Sequence, residues 1–346
     1  LNIQELLTLA IEKKASDLHI SDHLAPRIRI DGELVPLNLP SSTKTSVIEL
    51  LTPVVSKEHM QEFKEKWETD FSVILPDIGH FRVNVFQHNF GVSAAFRVIP
   101  ARTFSLDELG LPTVIKEISE RPNGLVLVTG PTGCGKSTTL AAIIQHINKR
   151  LNKHIITIED PIEYVHESLS CLIHQREVSR DTKSFSAALR SALREDPDII
   201  LVGELRDLET VQLALTAAET GHLVFATLHT SSAPKTIDRI IDIFPAGGER
   251  NLIQNILSES LQAVISQKLL KKIGGGRTSA IELMICTPAI RSLIRDDKVS
   301  QVYSAIQTGA SLGMQTMDQH LKKLVTDKIV SPETAREVAN NKDLFL

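Results

Sequence analysis

The residues with the clearest chemistry are consecutive. Gly130, Pro131, Thr132, Gly133, Cys134, Gly135, Lys136 and Ser137 fit the pattern G-x-x-x-x-G-K-[ST]. Before them lies the apolar run Leu125-Val126-Leu127-Val128-Thr129. After them Leu140, Ile143, Ile144 and Ile147 recur at helical spacing, in a helix that opens at Thr138. Strand, glycine loop and helix start follow one another, which aims several backbone N–H groups and a positive helix end at one anion. The glycines permit close backbone approach, Lys136 can reach the β- and γ-phosphates, and Ser137 can hold Mg2+ with phosphate oxygens and water. ATP and Mg2+ are the cofactors this arrangement calls for. Cys134 fills a free position of the pattern where a small residue is tolerated. Its place beside Lys136 and a helix N-terminus is also one that lowers a thiol pKa, so alkylation is expected to inhibit and nucleotide to protect.

Hydrolysis needs a group that activates water. Ile199-Ile200-Leu201-Val202-Gly203-Glu204 is a buried-strand pattern ending in a carboxylate, with Gly203 where an aspartate often holds the metal. Glu204 is the candidate for orienting or deprotonating the attacking water. A second set of carboxylates, Glu159, Asp160 and Glu163, follows the strand pattern at 154–158 and should emerge at the same sheet edge. His222 and His229 bracket another strand pattern. Their spacing separates them by roughly 23 Å and points them to opposite faces, so they cannot share a ligand. His229, at the C-terminal end, is placed to meet a γ-phosphate; His222, at the opposite end, reads as structural or as part of a subunit contact. Arg82 and Arg97, on strand patterns near the start of the chain, become candidates for stabilising phosphate charge if their domain closes on a nucleotide.

The elements that must position these groups fall into two sets. Residues 1–99 read as a small α+β domain. It has a helix at 3–14, short strands at 17–20, 27–30 and 33–35 with a hairpin turn at Asp31-Gly32, helices near 43–54 and 57–67, and strands at 71–75, 80–87 and 92–99. Residues 100–114 read as a linker. From 115 to 346 the pattern becomes strand–helix alternation, with strands at 125–129, 154–158, 198–202 and 223–228 and helices at 137–148, 184–194 and 207–219. Beyond 247 the chain reads as mostly helical, apart from a strand at 279–284. The basic run Lys268, Lys271, Lys272 and Arg277 reads as a solvated loop.

Composition narrows the function classes. A length of 346 residues, 42% hydrophobic and 23% charged, suits two soluble domains. With a net charge of −4 and 4% aromatic residues there is no basic or aromatic path for nucleic acid, so no direct nucleic-acid partner is expected. Three cysteines cannot form a tetracysteine zinc site. No apolar run is long enough to span a bilayer, and no signal-peptide pattern is present, so a cytoplasmic protein that reaches the inner face of the membrane through partners is expected.

The ordered set of motifs resembles the secretion-superfamily, or GspE-type, ATPases, and among them the pilus retraction motors. The matching stretches are Ala15 to His19, Phe81 to Asn84, the loop at 130–137, Ile158 to Glu163, Ile199 to Asp207, Thr220 to Thr230 and Ala289 to Asp296. The resemblance implies an α/β fold: a RecA-like P-loop ATPase domain with a smaller N-terminal α+β, PAS-like domain, assembled as a homohexamer with nucleotide between the domains. It singles out Glu163 among the carboxylates, strengthens Arg82 and Arg97, and implies an inner-membrane pilus platform protein as partner within the pilus machinery. The implied function is ATP-driven pilus retraction and twitching motility. It also suggests a coupling role for exposed Arg291, Arg295 and Asp296 near the chain's end. Other readings are a pilus assembly or type II secretion ATPase, an accessory retraction ATPase, and, from other classes, a RecA-like DNA motor or a nucleotide-dependent scaffold. Assembly and secretion ATPases resemble longer chains with a further N-terminal region and usually a tetracysteine insertion.

Overall fold

A computed structural model describes residues 2–30, 32–39, 47–99 and 103–345. The chain divides into two units, Leu1–Arg102 with Pro161–Tyr164, and Thr103–Asp160 with Val165–Leu346. Among the described residues no helix is long and apolar enough to cross a membrane.

The first unit opens with α1 (Ile3–Glu12), started by a reciprocal cap. The Asn2 side chain accepts from the Glu5 N–H at 2.8 Å, and the Glu5 carboxylate accepts from the Asn2 N–H at 2.9 Å. Ile3, Leu6, Leu7 and Ala10 recur at helical spacing and are all buried, so the helix is held by one apolar face. Strands β1 (Asp17–Ser21), β2 (Arg27–Ile30) and β3 (Glu33–Pro36) are followed by α2 (Val47–Leu51) and α3 (Lys57–Lys66). Then come β4 (Glu68–Leu75), β5 (Gly79–His88) and β6 (Gly91–Ile99). The strands form one antiparallel sheet in the order β3-β2-β1-β6-β5-β4. The hairpin expected at 31–32 is present: Ile30 pairs with Glu33, and Gly32 takes φ +89°, which a glycine adopts without penalty. Asp31 lies outside the described residues, as do 43–46 of the expected second helix and 100–102 of the expected linker. Beyond them, Leu106 and Leu111 are buried in the core of the second unit.

The second unit carries α4 (Val114–Ser119), β7 (Gly124–Thr129), α5 (Lys136–Arg150), β8 (His154–Glu159) and β9 (Leu172–Glu177). It continues through α6 (Phe185–Ala192), β10 (Ile199–Val202), α7 (Leu208–Glu219), β11 (Leu223–Leu228), α8 (Ala233–Asp242), α9 (Gly248–Ser260), β12 (Leu261–Lys271) and β13 (Arg277–Ile285). Helices α10 (Pro288–Arg295), α11 (Val302–Thr308), α12 (Met317–Thr326) and α13 (Pro332–Val338) complete it. The sheet order is β13-β12-β7-β11-β10-β8-β9, all parallel except β13. Every residue of β7, β10 and β11 is buried, which is why these strands read as unbroken apolar runs.

Two expectations are corrected here. The region after 247 is mostly helical as expected but holds a second strand, β12, which runs beside the loop-bearing strand β7. It follows α9 with no residue between them, so no turn signal marks the change. Its stretch Ala263 to Ile265 is buried on both faces and shows neither period. The basic run is not simply a loop either. Lys268 lies within β12 and donates to the Val338 carbonyl at 2.7 Å, whereas Lys271 at the end of β12, Lys272 in the turn and Arg277 at the start of β13 are exposed.

Candidate active site

The loop leaves β7 at Thr129 and enters α5 at Lys136. Gly130, Gly133 and Gly135 take φ +142°, +77° and +92°, the left-handed region the sequence pattern reserves for glycine. Gly135 caps α5 without a side-chain acceptor, whereas Ser184, Asp207 and Ser232 cap α6, α7 and α8 through their side chains. The first-turn N–H groups of α5 therefore carry no side-chain cap and present the positive end of a 15-residue helix. The Lys136 ammonium crosses the loop, donating to the carbonyls of Gly130 at 2.9 Å and Pro131 at 3.2 Å. Pro131, Thr132 and Gly133 are exposed, while Lys136, Ser137 and Thr138 are half-buried. This is a basic, donor-rich rim suited to an anion.

Glu204 and His229 stand on neighbouring strands at the same edge. Strand β10 pairs in parallel with β11, Val202 opposite Ala226, and β11 pairs with β7, Leu228 opposite Thr129. The residues just past these strand ends are Glu204, His229 and Gly130. Gly130 donates its N–H to the Leu228 carbonyl at 3.3 Å, which ties the loop to the strand that carries His229. The His229 Nε2 lies 3.3 Å from one Glu204 oxygen and the Arg206 guanidinium 2.8 Å from the other. Burial pushes the Glu204 carboxyl up, but the bond and charge of Arg206, with His229, more than offset it and leave it below the ordinary carboxylate value. Glu204 is thus an ionised acceptor at neutral pH. Gly203 has a steric reason to be glycine. A Cβ there would sit 3.2 Å from the Ile158 carbonyl and 3.3 Å from the Glu159 Cα.

The other predicted groups divide by location. Glu159 accepts from Thr157 at 2.6 Å and from Gln175 at 3.2 Å, so it is held along the sheet. The charge of Asp160 acts on Arg206. Glu163 is exposed, in the segment that groups with the first unit. Arg82 and Arg97 also belong to the first unit and lie directly opposite each other on β5 and β6. Like charges so placed repel. Asp70, 3.5 Å from Arg82, and Asp17, 3.0 Å from Arg97, partly offset this. The His222 Nδ1 lies 3.0 Å from the Ala217 carbonyl, at the C-terminal end of α7. Asp207 caps α7 by accepting from the Thr210 N–H at 2.9 Å.

Two expectations fail on geometry. The Cys134 side chain is buried at 3% exposure, and burial pushes its thiol pKa up, with Lys136 and nearby backbone donors offsetting this only in part. Its thiol is raised rather than activated. Iodoacetamide at neutral pH should therefore leave Cys134 unmodified in the folded protein and label it after denaturation. Mass-spectrometric detection of rapid native labelling would contradict this. Arg291 is not a free surface charge either. It donates to the Ser258 carbonyl at 2.6 Å and to the Glu259 carbonyl, closing the C-terminal end of α9, and Arg295 pairs with Glu259 at 3.1 Å. What the sequence reading missed altogether is Gln267, from β12, which lies against the loop. Its one signal was a polar amide inside an apolar run.

The sequence matches the family described as Type II/IV secretion system protein over residues 2–338. The chain belongs to that family. The type IV pilus retraction ATPase PilT of Pseudomonas aeruginosa is 58% identical over 345 residues, covering 100% of both chains. A twitching motility protein of Neisseria gonorrhoeae is 51% identical, over 98% of this chain and 90% of its own length. A crystal structure of the pilus retraction motor PilT with bound ADP superposes with a TM-score of 0.93 at 49% identity, covering 99% of this chain and 98% of that one. Membership of the Type II/IV secretion system family agrees with the fold already described. The second unit is a RecA-like P-loop ATPase domain, and the first is its smaller N-terminal α+β, PAS-like companion.

Proposed function

We propose that this protein is a motor ATPase that hydrolyses ATP to power type IV pilus retraction. The observation that carries the reading is likeness to a retraction ATPase over the whole of both chains, with the loop, Glu204 and His229 gathered at one sheet edge. It works in the cytoplasm as a homohexamer and delivers its motion to the pilus machinery through an inner-membrane platform protein.

Within the site, the backbone N–H groups of Gly133 and of 135–138 and the Lys136 ammonium bind the phosphates, with Lys136 exchanging its loop carbonyls for phosphate oxygens. Glu204, held by Arg206 and ionised, accepts a hydrogen bond from the attacking water and aligns it with the γ-phosphorus. Its low proton affinity favours orienting over full deprotonation. His229 is close enough to Glu204 to register the state of that carboxylate. Glu163, Arg82 and Arg97, all in the first unit, are the further residues that the family resemblance assigns to the nucleotide. Mg2+ would neutralise phosphate charge when bound. Among the described residues no group of three or more His, Cys, Asp or Glu is placed to hold a metal, so the Ser137 hydroxyl with phosphate oxygens and water fits it best.

Deletion in the host separates retraction from assembly. Cells lacking the protein should be hyperpiliated and unable to twitch; bald cells would make it an assembly ATPase. Loss of hydrolysis in Lys136→Ala, measured on purified protein, excludes a scaffold without turnover.

A further inference from the structure

We propose that Gln267 is a positioning residue for the nucleotide site, clamping the phosphate loop to the first turn of its helix. This rests on the reading of 130–137 as the nucleotide cradle. Gln267 is 1% exposed and comes from β12, the strand parallel to β7 on the side away from Glu204. Its Nε2 donates to the Cys134 carbonyl at 2.8 Å, and its Oε1 accepts from the Thr139 hydroxyl at 3.0 Å. Cys134 lies in the loop and Thr139 in the first turn of α5, so one planar amide spans the joint between them. That joint sets the direction in which the N–H groups of Gly135, Lys136 and Ser137 point.

The strand register delivers the amide to this place. Ser266 pairs with Thr129, the last residue of β7, and their hydroxyls bond at 2.8 Å. Gln267 is then the next residue along, level with the point where β7 gives way to the loop. Its own carbonyl confirms the close approach, since a Cβ on Gly130 would lie 2.3 Å from it. Glutamine suits the position because it offers a donor and an acceptor side by side while remaining neutral. The joint is buried: Cys134 and Thr139 are 3% and 2% exposed, so solvent cannot replace a lost partner.

The chemistry of the isosteric acid gives a test that a merely structural amide would not pass. A protonated glutamic acid donates through its O–H to the Cys134 carbonyl and accepts from Thr139 through its C=O, reproducing both bonds. A carboxylate cannot donate, and it sets a negative oxygen against a carbonyl oxygen. Gln267→Glu should therefore bind a fluorescent ATP analogue poorly at pH 8 and recover toward the parent as pH falls to 5.5. The quantity to read is the ratio of its dissociation constant to the parent's at each pH. Gln267→Leu, which removes both bonds, should weaken binding about tenfold or more at every pH. Melting temperatures without nucleotide, measured alongside, show whether each variant is folded. A pH-independent Gln267→Glu ratio, or Gln267→Leu binding within about twofold of the parent, would overturn the clamp. If Gln267→Leu does not fold, the Gln267→Glu ratio alone decides. Failure of the parent to bind, or undiminished binding by Lys136→Ala, would instead sink the nucleotide-cradle reading and the clamp with it.

Discussion

Glu204→Gln should lower ATP turnover by about three orders of magnitude while nucleotide affinity stays within a few-fold of the parent. The exchange keeps the shape and one acceptor but removes the charge that Arg206 holds at 2.8 Å and that His229 faces at 3.3 Å. Burial alone would push this carboxyl toward neutrality; its partners win, so the parent enters each cycle ionised. The sign matters for the pH profile. A carboxyl held below its ordinary value stays charged until conditions are distinctly acid, so a decline of rate near neutral pH belongs to another group. Arg206 is mostly exposed and pairs with water once Glu204 is neutral, so folding should be little affected. Phosphate release under saturating ATP, with nucleotide titration in parallel, checks the separation. Turnover within tenfold of the parent would remove Glu204 from the hydrolytic role.

Gly130→Ala should cost both nucleotide binding and stability, with affinity falling about a hundredfold or more. At φ +142° an alanine is strained wherever it sits, and here its methyl carbon would lie 2.3 Å from the Gln267 carbonyl and 2.6 Å from the Cys134 sulfur. The sulfur can swing aside. The carbonyl cannot, because β12 is bonded to β7 on one side and β13 on the other. The loop must lift off its floor instead. Gly133→Ala is the informative contrast: φ is +77°, nothing lies within 4 Å of the added carbon, and only the backbone preference of about 1–2 kcal/mol is lost. Thermal melts and ATP titrations of both variants test the difference, and equal behaviour would mean that the floor does not constrain the loop.

Most of the site was legible because its parts are local. The loop pattern needs only a strand before it and a helix after it, and both flanks are strongly patterned. Glu204 and His229 were placed at one edge by a general property of parallel sheets: strands that alternate with helices all end on the same side. Their 3.3 Å approach required the order of strands, which no single segment encodes. Strand β12 escaped for a related reason. A strand packed on both faces loses the alternation that would betray it, and α9 passes into it without a glycine or proline. Gln267 went unseen with it. The lowered thiol pKa expected of Cys134 failed, while its reading as a tolerated small residue stands, because the sequence shows the lysine beside it but not the strand beneath it, and burial has the stronger influence on its thiol.

The direct passage from Ser260 to Leu261 has a consequence for cooperativity. Helix ends ordinarily fray on their own, because a flexible connection isolates each terminus from the next element. Here the last turn of α9 cannot open without dragging the first residues of β12, and Arg291 holds the carbonyls of that turn. Amide hydrogen exchange is therefore expected to show the last turn of α9 and the first residues of β12 opening together. Comparable protection in the two would extend to the floor under the nucleotide loop, and faster exchange at the end of α9 than in β12 would mean that the helix opens alone.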